Sequence, residues 1–408
     1  MNGLPRRSFL ETCAAASASL SASPFWKGVA PMTKLPHVVV VGAGAFGGWT
    51  ALHLLRRGAR VTLLDAWGPG NSRASSGGET RVIRATYGPR AVYTRMAARA
   101  LALWKEHERQ WHRRLYHAVG VLWLVEGDGD YERAALPILR DAGVAFEELN
   151  GSEVATRYPQ INSDKVRWAI FERDAGYLTA RVACAAVLDA FQAAGGVYRQ
   201  LAAQPDPVAR GELPGVTLSD GTAFRADAYV FACGPWLGKL FPDVVGNLIT
   251  ATRQEVFFFG TPAGDGRFQE DALPVWADHG PRFMYGIPGN EWRGFKVADD
   301  TRGSPFDPTS GERIVSPDKL AEIREYLSYR FPGLKGAPLV ESRVCQYENS
   351  LDEHFIIDRH PAAANAWLVG GGSGHGFKHG PAVGELVAQL VLAGGAPDPS
   401  FRLSRFGK

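Results

Sequence analysis

The segment from His37 to Asp65 constrains the fold more than any other part of the chain. A β-branched run, His37-Val38-Val39-Val40-Val41, ends in Gly42-Ala43-Gly44-Ala45-Phe46-Gly47. A helical pattern covers Trp49 to Arg57, and Arg60-Val61-Thr62-Leu63-Leu64-Asp65 reads as a second strand. Strand, glycine turn, helix and strand is the context that gives G-x-G-x-x-G its meaning. Gly42 permits the tight turn, Gly44 lets backbone amides approach a pyrophosphate, and Gly47 lets the helix pack on the strand. The anion would sit at the helix N-terminus, where unpaired N–H groups and the helix dipole favour it. Asp65, at the end of the second strand, would accept ribose hydroxyls and disfavours a 2′-phosphate. A dinucleotide other than NADP is therefore expected.

With 408 residues the chain can bury two cores, or one core with a large insertion. Apolar residues at 45% and charged residues at 21% exclude disordered and collagen-like classes. The net charge is only +3 and the basic residues are dispersed, which argues against a nucleic-acid partner. No apolar run reaches the roughly 18 residues that a membrane span needs, and no metal-ligand set is read from the sequence. At the N-terminus, Pro5-Arg6-Arg7-Ser8-Phe9-Leu10 precedes an Ala/Ser-rich stretch. This pattern resembles a twin-arginine export signal over residues 1–30, implying a periplasmic or exported protein. Cys13 would leave with that signal. Cys184 and Cys233 read as small core residues, which leaves Cys345 as an unexplained thiol.

Further along, Val92 to Arg114 reads as a long amphipathic helix, Val121 to Val125 as a strand, and Tyr131 to Ala142 and Arg181 to Ala194 as helices. Tyr229 to Cys233 is a buried-type strand stopped by Gly234-Pro235. From Ala251 to Glu348 aromatic strands such as Glu255 to Phe259 alternate with turns, with one helix at Pro317 to Tyr329. Ala366 to Val369, a glycine loop and a helix from Gly380 to Ala393 close the chain. Such an order describes an α/β (mixed α+β) protein in which a Rossmann-like FAD-binding domain is interleaved with an antiparallel-sheet substrate domain. The boundaries expected are 36–118, 180–248 and 352–400 for the first and 119–179 and 249–351 for the second.

Three features favour FAD over NAD. A second fingerprint for a nicotinamide is missing, Gly234 supplies a glycine turn after a buried strand, and Gly372, Gly374 and Gly376 offer further amides at a helix start. A cofactor gripped from three distant regions is a large one.

Several blocks together resemble flavoprotein amine oxidases of the D-amino-acid-oxidase superfamily, most closely the sarcosine-oxidase and N-methyltryptophan-oxidase group. They are the glycine fingerprint, Glu79-Thr80-Arg81-Val82-Ile83-Arg84 with Tyr87-Gly88, Gly120-Val121-Leu122, and Phe171-Glu172 with Gly176. Val344-Cys345-Gln346-Tyr347, Leu351 to Asp358, His360-Pro361 and Ser373-Gly374-His375-Gly376-Phe377-Lys378 complete the set. The resemblance covers nearly everything from Pro36 to Leu392. It implies that Cys345 links covalently to the flavin and that Arg81 contacts the cofactor. Arg84 and Lys378 would hold the substrate carboxylate, with Lys378 also touching the flavin, and a fork and a point cation suit that task. Lys296 matches a lysine that promotes oxygen reduction over the flavin.

The implied reaction is oxidation of the C–N bond of a secondary or N-substituted amino acid. Hydride passes to the flavin, the imine hydrolyses, and oxygen becomes hydrogen peroxide. A monomer acting on a small amino-acid-like amine is expected. Export makes a respiratory acceptor the alternative to oxygen, and a flavin-bound protein without catalysis is a third reading. Three positions depart from the family: Ser76-Gly77 replace a histidine pair, Met284 falls where a substrate-side tyrosine is expected, and Asp300 or Asp299 falls where a histidine is expected.

Overall fold

The computed structural model describes residues 35–291 and 293–407, and the export-signal segment lies outside the described residues. His37–Val41 occupies the middle of a six-stranded sheet ordered Ile356–His360, Ala363–Gly370, Ala228–Phe231, His37–Val41, Arg60–Leu64 and Val197–Arg199. All neighbours run parallel except the Ile356–His360 edge, which is antiparallel. Every residue of His37–Val41 is buried because both faces of the strand are covered. Val38 and Val40 pack into a core with Trp49, Ala51 and Leu52 of the Ala45–Arg56 helix, while Val39 and Val41 join Phe231, Phe241 and Leu368 on the other face. Two covered faces explain an unbroken valine run in place of apolar–polar alternation.

The first helix begins at Ala45, four residues earlier than the Trp49 start expected from the apolar pattern. The glycine turn runs directly into it: Ala45 N donates to Ser76 Oγ at 3.1 Å, and Gly48 N donates to Gly44 O at 2.9 Å. A β-carbon at Gly47 would stand 1.9 Å from Gly42 O, so this glycine lets the helix close on the turn. The Gly380–Ala393 helix crosses the same helix at close range. A β-carbon at Gly384 would lie 2.6 Å from the Trp49 carbonyl carbon.

The second sheet has eight strands in the order Leu339–Ser350, Ile249–Phe259, Phe295–Asp299, Phe283–Ile287, Val275–His279, Val121–Glu126, Val166–Glu172 and Phe146–Asn150. It is antiparallel throughout except where Val275–His279 runs parallel to Val121–Glu126, so the expected antiparallel sheet is in fact mixed. The physical reason is the crossover. The chain leaves this sheet after residue 172, contributes strands to the first sheet, re-enters at Ile249–Phe259, and then lays Val275–His279 beside Val121–Glu126 in the same direction. The Pro317–Arg330 helix covers one face, where Ile323 and Leu327 meet Trp276 and Phe295. Strands of the first sheet come from 37–64, 197–231 and 356–370, and those of the second from 121–172 and 249–350, so the two are interleaved in sequence. Pro36–Lys408 forms one compact unit, and among the described residues no helix is long and apolar enough to cross a membrane.

The helix crossing gives a direct test. Gly384→Val should destabilise the protein by about 1–3 kcal/mol through overpacking, read as a lower urea midpoint at constant slope.

Candidate active site

The carboxyl ends of the first sheet's strands open on a cleft of about 400 Å³, the place where doubly wound sheets hold ligands. Gly42 follows one strand at φ +105°, and a β-carbon there would meet Ala232 O at 2.3 Å. Gly44 is free of such crowding, since only Ser76 Oγ at 3.3 Å lies near its would-be β-carbon. A phosphate can therefore approach its amide. Asp65 lines the cleft, with Oδ2 accepting from Ala43 N at 2.7 Å and Oδ1 from Trp67 N and Gly68 N at 2.9 and 2.7 Å. Burial pushes this carboxyl up, and these three amides oppose the shift. The same bonds hold Asp65 rigid, while the second lone pair of Oδ2 remains for a ribose hydroxyl.

Gly234, Gly372, Gly374 and Gly376 line the same cleft, at φ +54° for Gly234 and +78° for Gly374. Cys233 is half-buried and packs against the core, and it also lines the cleft, a place the sequence reading did not give it. Three orphaned polar atoms stand in this wall: Ser75 Oγ, Gln346 Oε1 and Glu348 Oε2 are buried without a partner among the described residues. Such groups are costly unless a ligand supplies hydrogen bonds. A hydroxyl-rich dinucleotide supplies them, and FAD fits this wall.

Beside the cleft lies a second, smaller cavity lined by Cys345, Lys296, Tyr285, Arg81 and Tyr347; it shares Arg81, Tyr347, Ala74 and Gly374 with the first. Lys296 sits on the Phe295–Asp299 strand opposite Phe258 and Ile287. Its Nζ is buried and donates to Thr80 O at 3.0 Å and Thr80 Oγ1 at 3.4 Å. Burial, followed by the Arg81 guanidinium, lowers this amine to about 7. Arg81 donates through Nη2 to Ser75 O at 2.8 Å and to Cys345 Sγ at 3.4 Å. Cys345, Arg81 and Lys296 are thus brought together, as the sequence suggested.

Arg84 and Lys378 meet at Tyr87. The Arg84 guanidinium lies 4.4 Å over the Tyr87 ring and 4.8 Å over Trp123, and its Nη1 donates to Thr86 O. Lys378 Nζ bonds Tyr87 Oη at 2.8 Å and His375 O at 2.7 Å, leaving one of its three N–H groups over. Burial and then Arg84 hold this amine well below the usual lysine range. Glu172, fully buried, fixes the loop beneath: Oε2 accepts from Ala85 N at 2.7 Å, and Oε1 accepts from Thr86 N at 3.0 Å and Trp123 Nε1 at 3.1 Å.

The three departures from the family separate here. Asp300 faces the basic pair, with Oδ1 accepting from Tyr347 Oη at 2.7 Å. Burial raises it to about 6 against the pull of Tyr347, Arg84 and Lys378. Asp299 points elsewhere, into an ion-pair group with Arg282 and Lys319. Met284 is buried in the core of the second sheet; its neighbour Tyr285 lines the cavity and lies 3.5 Å, oxygen to oxygen, from Tyr347. Alternation along the strand sends one side chain to each face. Ser76 lines the cleft at the start of the first helix. Sequence reasoning missed Tyr347, Glu172 and Glu348, although the first two lie within the family-like blocks and Glu348 follows directly on one.

A parallel sheet with a glycine-lined cleft at its carboxyl edge, joined to a mixed sheet bearing a buried lysine and a thiol, defines a dinucleotide-dependent oxidoreductase. The chain belongs to the FAD dependent oxidoreductase (DAO) family, whose model matches residues 37–390. Monomeric sarcosine oxidase of Bacillus sp. (strain B-0618) is 30% identical over 363 residues, covering 88% of this chain and 92% of that protein. N-methyl-L-tryptophan oxidase of Salmonella typhi is 28% identical over 387 residues, covering 91% and 99%. L-proline dehydrogenase from P. horikoshii shares the fold, with a TM-score of 0.80 at 19% identity over 92% of this chain and 98% of that one.

Proposed function

We propose that the protein oxidises the C–N bond of a secondary or N-substituted amino acid, with oxygen as the electron acceptor. The observation that carries this reading is the pairing of Arg84 and Lys378 at Tyr87, whose charges act on Asp300, the hydrogen-bond partner of Tyr347 in the wall of the cavity that holds Lys296 and Cys345. Relatives named for sarcosine and N-methyltryptophan oxidation support the substrate class. The overall change converts an amine R–NH–CH2–R′, water and oxygen into R–NH2, the aldehyde R′–CHO and hydrogen peroxide. FAD, when bound, supplies the two-electron acceptor for the hydride lost from carbon.

The residues of the chain do the rest. Arg84 and the remaining N–H of Lys378 grip the carboxylate, which orients the C–N bond. Arrival of that anion favours the charged form of Lys378, so binding draws a proton to Nζ. Asp300, ionised above about pH 6, faces the amine end and balances the cationic pair. Lys296 places positive charge beside the site where oxygen takes up electrons, and stabilises the anion that forms there. Cys345 is the proposed point of covalent attachment, and Arg81 holds its sulfur in place. The Arg6-Arg7-Ser8-Phe9-Leu10 pattern supports export by the twin-arginine route. That route carries folded proteins and suits a chain loaded with its cofactor.

The deciding experiment is a screen of N-methyl, cyclic and glycated amino acids for peroxide release. If every substrate that bleaches the flavin anaerobically is followed by slow, peroxide-free reoxidation in air, oxygen is not the acceptor. Bleaching by none of them defeats the catalytic reading.

With any active substrate, Arg84→Ala or Lys378→Ala should raise KM about tenfold or more, from loss of about 1.5–3 kcal/mol of charged hydrogen bonding. An unchanged KM removes the clamp. Acid precipitation should carry the yellow colour down with the protein, and Cys345→Ala should release it to the supernatant. Because burial holds Asp300 at about 6, kcat/KM should fall as pH drops through that value. Asp300→Asn should abolish this acid limb, and a retained limb would exclude Asp300 as its source.

A further inference from the structure

Glu348 lies in the wall of the cofactor cleft and stands in an unusual position for a carboxyl group. It is only 7% exposed, yet one of its two oxygens has no partner among the described residues. Oε1 accepts from Gly372 N at 3.0 Å, while Oε2 accepts from nothing. The backbone on either side is rigidly held: Glu348 pairs with Ala251 across the sheet, and its carbonyl accepts from Ser373 N at 3.0 Å.

The surroundings of Oε2 are shaped by glycine. A β-carbon on Gly234 would stand 3.4 Å from it and near no other atom, and one on Gly370 would stand 3.9 Å away. Small residues on this side leave room for a ligand atom against the carboxyl. The nearby titratable group is Cys233, whose thiol is raised by burial and by the charges of Asp65 and Glu348. Among the described residues no lysine or arginine pairs with Glu348, so no resident cation among them explains the acid. A buried carboxyl lacking a cation and half its hydrogen bonds calls for an outside donor.

Its place on the strand identifies that donor. Glu348 is three residues beyond Cys345, roughly 10 Å along an extended strand, and lines the same cleft as Gly42, Gly44 and Asp65. Cys345 marks the ring end and Gly44 the pyrophosphate end. Between them FAD carries only its hydroxylated five-carbon chain. We propose that Glu348 is a cofactor-binding residue whose free carboxyl oxygen accepts a hydroxyl of the chain that joins the flavin ring to the pyrophosphate. The inference rests on FAD dependence and not on the substrate, so a different amine leaves it standing.

The carboxyl is raised by burial to about 7. A hydroxyl donor favours the ionised form and lowers this value, so FAD binding should release a proton and tighten as pH rises from about 6 to about 8. The opposite slope would mean that the carboxyl donates to the cofactor, which overturns the proposal.

The test uses FAD-free Cys345→Ala protein, titrated with FAD by quenching of flavin fluorescence, with and without Glu348→Gln. The second substitution should weaken FAD about tenfold near pH 8, flatten the pH slope, and leave the melting temperature of the FAD-free protein unchanged or higher. Riboflavin, which carries the hydroxylated chain, should weaken in parallel. ADP, which carries the pyrophosphate without that chain, should keep its affinity. Equal FAD affinity and pH slope in both proteins, loss of ADP affinity, or a lower melting temperature of the FAD-free variant would each overturn the assignment. Glu348→Thr, shorter and neutral, should reproduce the lost pH slope.

Discussion

The register between Leu339–Ser350 and Ile249–Phe259 holds the site together. Along one strand it sets Cys345 opposite Gln254, Tyr347 opposite Thr252 and Glu348 opposite Ala251. Because successive side chains point to opposite faces, Cys345 reaches the smaller cavity, Gln346 and Glu348 reach the cleft, and Tyr347 sits where the two meet. A slip of one residue would exchange every one of these assignments. Two contacts oppose it: Asn349 Nδ2 donates to Thr252 Oγ1 at 2.8 Å within the pair, and Ser373 N donates to the Glu348 carbonyl from the last glycine loop. The second of these ties the strand to the parallel sheet. One hydrogen-bonded register therefore aligns the nucleotide cleft with the reactive cavity.

The cleft was the most legible part of the chain, because its requirements are local. Gly42, Gly44 and Gly47 must be glycine for reasons of backbone conformation and close approach, and those reasons act within a few residues. Asp65 follows from the same turn. The basic residues were found through blocks of sequence likeness, and the structure then showed what a pattern cannot, namely that Tyr87 is the piece between Arg84 and Lys378. Met284 and Tyr285 show the limit plainly. Adjacent in sequence, they face opposite sides of one strand, and only the sheet register says which reaches the cavity. Asp299 and Asp300 divide in the same way, one to a solvent-side ion-pair group and one toward the clamp. The parallel pairing of Val275–His279 with Val121–Glu126 was invisible for another reason: it joins segments separated by an excursion through the other sheet.

Buried charge organises what remains. Arg81 and Lys296 line the smaller cavity while Arg84 and Lys378 meet at Tyr87, and burial lowers both lysines from their ordinary range. Hydrogen bonds to Thr80, Tyr87 and His375 orient these groups without supplying a counter-charge. Asp300 compensates only in part, since burial raises it as well. In such surroundings each charge is costly alone and favourable in company.

Under the proposed clamp an anionic substrate group would gain twice. It would bind the guanidinium and restore charge to a lysine that burial had weakened, which would link its binding energy to proton uptake at Lys378. An amine without a carboxylate would receive neither contribution. Selection for amino acids over simple amines would thus follow from burial of the cations as much as from their number. The same arginine and lysine exposed on a surface would attract carboxylates weakly and with little discrimination. Glu172 makes this arrangement possible: by accepting the Ala85 and Thr86 amides it keeps the Arg84 loop folded inward, where the dielectric is low enough for the pairing to matter.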